Sequence, residues 1–164
     1  MTELERWISI SKFLGREALY LDSKNWDDWL ALYAEDAVYW APAWDDDGKP
    51  TTDPHREISL IYYPDRSGLE DRVFRIRTGR SASASNPPPR TSHTMQLLQV
   101  DVAGDHVHAR TNWVVNTFKE GEVTTYFGWA EYDLAPHADS WRIKRRVTHI
   151  LNDTAKTVID VNMI

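Results

Sequence analysis

Val123-Thr124-Thr125-Tyr126-Phe127-Gly128-Trp129-Ala130 is the stretch on which the fold turns. Val123, Thr125, Phe127 and Trp129 alternate with Thr124, Tyr126, Gly128 and Ala130. The set is rich in β-branched and aromatic residues, and its period of two is that of a strand. Turn signals lie on both sides, Lys119-Glu120-Gly121 before it and Pro136-His137-Ala138-Asp139 after it, with another at Ala103-Gly104-Asp105. They divide the chain after Pro89 into four long strands. In the last of these, Trp141, Ile143, Val147, His149 and Leu151 alternate with Arg142, Lys144, Arg146 and Thr148, which predicts one apolar and one basic face.

Toward the N-terminus the period changes. Thr2-Glu3-Leu4-Glu5 matches a capping box, and Trp7, Ile10, Leu14, Ala18 and Leu21 recur at helical spacing. Asn25 is placed to cap a second helix, Trp26 to Ala34, whose first turn holds Asp27 and Asp28. Trp26, Trp29, Leu30 and Tyr33 would share its apolar face. Ala37-Val38-Tyr39-Trp40 reads as a strand stopped by Pro42, and Trp44 to Pro54 as an acidic loop. Ile58 to Tyr63 reads as a short strand. Ser67-Gly68-Leu69-Glu70 is a second capping-box match, opening a helix through Leu69, Val73 and Ile76. Ser81 to Pro89 is a polar, extended connection. Helices first and an antiparallel meander second predict an α+β fold, with the N-terminal helices packed on one face of a curved antiparallel sheet.

Composition narrows the function. The 164 residues form a single expected domain, 1–164, with no internal repeat and no linker. A net charge of −6 leaves no basic excess for phosphate backbones, so no nucleic-acid partner is expected. The absence of cysteine excludes disulfides, thiol nucleophiles and thiolate-ligated iron–sulfur clusters in this chain. No apolar run approaches membrane length, and the charged N-terminal residues do not resemble a signal peptide, so a cytoplasmic chain without membrane contact is expected.

Few residues suggest chemistry. His106 and His108 share a strand face, but an iron site would also need a carboxylate from elsewhere on that face. His93, and His149 with Asp153 nearby, are single candidates. Asp36, Tyr39, Arg145 and His149 could gather in a conical pocket between helices and sheet, the layout of a free-standing isomerase, dehydratase or small-ligand binding protein. Arg72, Arg75, Arg77 and Arg80 concentrate charge at one helix end. Arginine complements the helix dipole there, and it also forms bidentate contacts with carboxylates of another subunit. Eight tryptophans and seven tyrosines favour burial in a core or an interface. On these grounds Trp44, Asp45, Asp46, Asp47, Arg72 and Arg75 are the candidate subunit-interface residues.

Several segments together resemble the small (beta) subunits of aromatic-ring-hydroxylating dioxygenases. They are Trp26-Asp27-Asp28-Trp29-Leu30-Ala31-Leu32-Tyr33, Pro42-Ala43-Trp44-Asp45, Pro89-Arg90-Thr91-Ser92-His93 and Leu151-Asn152-Asp153-Thr154. The run Asp53-Pro54-His55-Arg56-Glu57-Ile58-Ser59-Leu60-Ile61-Tyr62-Tyr63-Pro64 resembles the benzoate, toluate and anthranilate branch in particular. The resemblance implies an NTF2-like cone and a non-catalytic role, with no catalytic, cofactor or metal residue in this chain. It further implies an alpha-subunit partner in an α3β3 hetero-hexamer. That partner would carry the Rieske [2Fe-2S] cluster and mononuclear Fe(II), with a reductase component supplying electrons from NADH. The reaction implied is hydroxylation of an aromatic carboxylic acid by O2.

Overall fold

The N-terminal helix begins as its cap predicts. In the computed structural model, which describes residues 1–80, 87–155 and 158–164, Glu5 N–H donates to Thr2 Oγ1 (3.2 Å) and Thr2 N–H to the Glu5 carboxylate (2.8 Å). This reciprocal cap opens α1, Glu3–Asp22. Helix α2, Trp26–Ala31, is shorter than its sequence pattern suggests. Asn25 holds the N-cap position, but its amide donates to Asp28 (2.6 Å) instead of accepting from a helix N–H. At the other end, Ile143 N–H donates to Leu32 O (2.9 Å) and draws Tyr33 out of the helix into the sheet.

The remaining elements are β1 (Tyr33–Pro42), β2 (Ser59–Tyr63), α3 (Ser67–Arg77), β3 (Arg90–Ala103), β4 (His106–Lys119), β5 (Glu122–His137), β6 (Ser140–Ile150) and a 3-10 turn, Val161–Met163. Ser67 is the first residue of α3 and not its cap. Asp65 plays the capping part, accepting from the Ser67 amide (2.9 Å) and hydroxyl. Of the connection expected over Ser81 to Pro89, residues 81–86 lie outside the described residues.

All six strands join one sheet in the order β2-β1-β6-β5-β4-β3. The sheet is mixed: β1 runs parallel to β6, with Tyr39 opposite Arg146 and Trp40 opposite Val147. A purely antiparallel sheet, as expected from the meander, is therefore corrected at this one pair. The crossover is long enough to allow it, because the whole β2–β5 stretch separates the two strands. Helix α1 lies across β3 and β6 on one face of the sheet. Trp29, Tyr33, Tyr39, Tyr126, Tyr132 and Phe13 fill the space beneath the helices and are fully buried.

Strand β5 keeps its two-residue period throughout. Tyr126, Gly128, Ala130, Tyr132 and Leu134 point inward, and Val123, Phe127 and Trp129 point out. Gly128 is required by close approach, since a Cβ there would meet the His149 carbonyl oxygen at 1.8 Å. Strand β6 does not keep its period. Leu134 faces Ile143 and Asp133 faces Arg145, so Lys144 is an extra residue, a β-bulge. Trp141 and Ile143 point inward before the bulge, and Arg146, Thr148 and Ile150 after it. The predicted basic face is thus divided. Arg146 enters the core, while His149 turns to the outer face.

Candidate functional site

The interior holds a polar knot built on Glu17. This residue interrupts the apolar stripe Ile10, Leu14, Leu21 of α1, so its carboxylate is carried into the core. Arg146 Nη1 donates to Glu17 Oε1 (3.0 Å), Tyr132 Oη donates to Oε2 (3.1 Å), and Tyr33 Oη donates to Oε1. The Arg146 guanidinium also lies over the rings of Tyr39 (5.3 Å) and Tyr132 (5.5 Å). Burial raises the phenols, Tyr39 to about 12 and Tyr33 and Tyr132 well above their ordinary value, so all three stay protonated. Burial works against the Arg146 charge, but Glu17 and the oxygens of Tyr132, Tyr39 and Tyr33 together outweigh it and hold the guanidinium well above its ordinary value. Three donors, Arg146 Nη1, Tyr33 Oη and Tyr132 Oη, converge on one carboxylate, and the adjoining cavity measures ≈ 10 Å³, so the arrangement locks helix to sheet and leaves no room for a substrate there. Sequence reasoning missed Glu17 and Arg146. The available signal was an acid at a core position of α1.

The pocket of Asp36, Tyr39, Arg145 and His149 does not form. Asp36 is exposed and accepts from Lys144 Nζ (2.5 Å), which lowers its carboxyl. Tyr39 points into the core, but the bulge places Arg145 on the outside, 3.7 Å from Asp133. His149 stacks on Trp129 (4.5 Å between centroids, 15° between planes), with Nε2 3.7 Å from Glu131. Burial lowers this imidazole despite the carboxylate. His106 and His108 both face outward, and His108 Nδ1 lies 2.9 Å from Asp133 Oδ1. Among the described residues no group of three His, Asp or Glu side chains is placed to hold a metal ion. No described helix is long and apolar enough to cross a membrane.

The six candidate interface residues separate into two kinds. Trp44 is 37% exposed, donates to Ile150 O (2.6 Å) and meets Trp129 edge-on at 5.9 Å. Asp45, Asp46 and Asp47 form an exposed turn, in which Asp45 Oδ1 accepts from Asp46 N–H and Asp47 pairs with Lys49 (3.2 Å). Arg75 pairs with Asp71 one helical turn away (2.9 Å), also in the open. Arg72 is different. It donates to Asp160 (2.8 Å), whose side chain is wholly buried, and so anchors the segment leading into Val161–Met163. Within this chain the partners are thus Asp160 for Arg72 and Asp71 for Arg75.

Around Trp44 the outer face exposes apolar side chains, with the hydrogen-bonded Thr125–Asn116 pair between them. Phe127 (43% exposed) pairs across the ladder with Val114, and Val123 (63% exposed) with Phe118. Leu151 continues this surface, its N–H donating to Phe127 O (2.8 Å), and the Asn152 amide bonds the β5 backbone at Thr125 and Phe127. A groove of ≈ 530 Å³ runs between Trp44, Leu60, Tyr126 and Leu151. Exposed aromatic and aliphatic side chains of this kind have the composition of interface cores.

Helices on one face of a mixed sheet, an interior plugged by Glu17, Arg146 and tyrosines, and exposed apolar side chains on the other face define a class: an α+β domain of helices laid on a single six-stranded sheet. The chain belongs to the ring hydroxylating beta subunit family, whose model matches residues 16–157. It is 44% identical over 153 residues to the benzoate 1,2-dioxygenase subunit beta of Acinetobacter baylyi, covering 93% of this chain and 90% of that one. The crystal structure of the benzoate 1,2-dioxygenase beta subunit of Burkholderia mallei matches with a TM-score of 0.79 and 42% identity, covering 94% of this chain and 95% of that one. An NTF2-like protein with a cystatin-like fold from Novosphingobium aromaticivorans matches with a TM-score of 0.63 at 19% identity, over 93% and 86% of the two chains, a likeness of fold alone. This chain is therefore a beta subunit of a multicomponent aromatic-ring-hydroxylating oxygenase, with the expected NTF2-like fold.

Proposed function

We propose that the chain is the non-catalytic, scaffolding beta subunit of a cytoplasmic oxygenase acting on an aromatic carboxylic acid such as benzoate. The observation that carries this reading is the filled interior: the place where a cone-shaped domain would receive a substrate is occupied by Glu17, Arg146 and the tyrosines packed around them. The lack of cysteine supports it, since a Rieske cluster needs two thiolates. The Rieske [2Fe-2S] cluster and the mononuclear Fe(II) belong to the alpha partner, within an α3β3 assembly that receives electrons through a reductase. Residues 1–164 act as one domain in it. What this chain's residues do is bind and orient. Trp44 and Asp45 to Asp47, on the same side as the Phe127–Val114 ladder, contribute to subunit contacts, and so does Arg75 on α3. Arg72, whose guanidinium holds buried Asp160, contributes from α3 as well.

The test is co-expression with an alpha subunit of the benzoate dioxygenase family, followed by sedimentation, iron analysis and assay on a panel of benzoates. A complex whose iron and turnover require the alpha chain, and whose assembly weakens in Trp44→Ala, is the expected result. Stoichiometric iron in the isolated beta chain, or turnover without alpha, would overturn the proposal.

A further inference from the structure

Three of the residues that line one small cavity, His93, Arg146 and Trp113, each carry a buried side-chain nitrogen without a protein hydrogen-bond partner: Nε2, Nε and Nε1. The cavity measures ≈ 10 Å³ and lies between α1 and the sheet, with Met95 and Ile164 among its walls. Asp22, the last residue of α1, decides what these atoms require. Its Oδ1 accepts from the Thr91 hydroxyl (2.9 Å) and lies 2.5 Å from His93 Nδ1, while Oδ2 accepts from the His93 amide (3.0 Å). An ionised carboxylate has no proton to give, so Nδ1 carries the ring hydrogen and Nε2 is left as a bare lone pair. Burial lowers His93 despite Asp22, with Arg146 and Glu17 also facing it, which keeps the ring neutral.

Arg146 Nε and Trp113 Nε1 can only donate. Any molecule that satisfies all three atoms must accept twice and donate once. A hydroxyl group does this. A carboxylate or halide cannot donate to His93, and an ammonium cannot accept from Arg146 or Trp113. The volume corresponds to about one water-sized sphere, and three partners is the usual number for a buried water.

We propose that Asp22, His93, Trp113 and Arg146 form an internal site for a single water molecule. The water donates to His93 Nε2 and accepts from Arg146 Nε and Trp113 Nε1. It joins β3, β4 and β6 to the end of α1, one turn beyond the point where Glu17 makes its own bridge to β6. The imidazole, oriented by Asp22, polarises this water as a general base would. The closeness of Met95 and Ile164 leaves no room for a second reactant, so the water serves the fold. The inference does not depend on the role of the chain in an oxygenase.

A crystal structure of the whole chain, refined with ordered waters, tests the site together with nitrogen NMR of the histidine rings. One density peak within hydrogen-bond distance of all three atoms is expected, with His93 Nε2 unprotonated at neutral pH. His93→Phe should remove the peak while circular dichroism stays as in the wild type. A dry cavity in a well-ordered map, a peak touching only one of the three atoms, or a protonated Nε2 at neutral pH would each overturn the proposal. The wild-type map and spectrum decide the matter even if the variant does not fold.

Discussion

Arg146 of β6 and Glu17 of α1, separated by 129 positions in sequence, form an ion pair at 3.0 Å with both side chains almost entirely out of water. Removing one partner leaves the other charged and buried, which costs roughly 3–5 kcal/mol, whereas replacing both with apolar residues is often neutral or better. Glu17→Gln and Arg146→Met are therefore expected to lower stability by about 3–5 kcal/mol each, and Glu17→Met with Arg146→Met by clearly less than the sum. Urea unfolding measures all three. Single variants within about 1 kcal/mol of wild type would show that the pair is not the lock between α1 and the sheet.

Arg72 and Arg75 stand close together on α3 yet should behave differently. Arg72→Ala takes a charge-assisted hydrogen bond from buried Asp160, and a loss of about 1.5–3 kcal/mol in the isolated chain is expected. Arg75→Ala breaks an exposed pair worth about 0–1 kcal/mol, so its isolated chain should unfold as wild type does. Any assembly defect in Arg75→Ala then reports on the interface alone. If Arg72→Ala left the unfolding midpoint unchanged, the Asp160 anchor would carry no energy.

Two glycine substitutions test the packing in opposite directions. Gly128→Ala would drive a methyl into the β6 backbone, and since backbone cannot rotate away, a loss of about 3 kcal/mol or more is expected. Gly15→Ala sits mid-helix with open space around it, and a gain of about 0.5–1 kcal/mol is expected. Thermal melts of the two variants suffice. Equal effects would mean that β5 and β6 are not packed at the described distance.

Acid should weaken the fold through two histidines. Burial holds His93, among Asp22, Arg146 and Glu17, and His149, among Glu131, Arg110 and Arg145, below the ordinary value of 6.5. The unfolded chain then binds protons first as the pH falls. Their contribution is complete above about 6.5 and is lost as pH drops through that value toward the folded ones. Unfolding midpoints measured from pH 8 to pH 5 should fall across this window, and less steeply in His93→Gln. A midpoint that rose on acidification would contradict the sign.

Tyr39→Phe removes a buried hydroxyl that has no protein partner, and His149→Ala changes a ring on the outer face. Turnover by the assembled, iron-loaded oxygenase is expected to stay within a few-fold of wild type for both. A collapse of turnover in an intact complex would assign this chain a direct part in catalysis.

The two periods, and the end of helical spacing after Gly79, are legible in the order of residues alone. So are the Thr2–Glu5 cap and the β4–β5 turn, where Glu120 and Gly121 both adopt positive φ. These features are local, since each depends on residues within a few positions of one another. With the quoted motifs they were enough to place the chain among ring-hydroxylating beta subunits. Tertiary structure alone decided which residues share a site. In Lys144-Arg145-Arg146 nothing marks which of three consecutive basic residues is the extra one. Only pairing with β5 on one side and β1 on the other puts the bulge at Lys144. That single residue sends Arg146 inward to Glu17 and sends Arg145 and His149 outward. The physical reason is the two-residue period of a strand: inserting one residue exchanges its faces, and the insertion is fixed by strands far away in sequence.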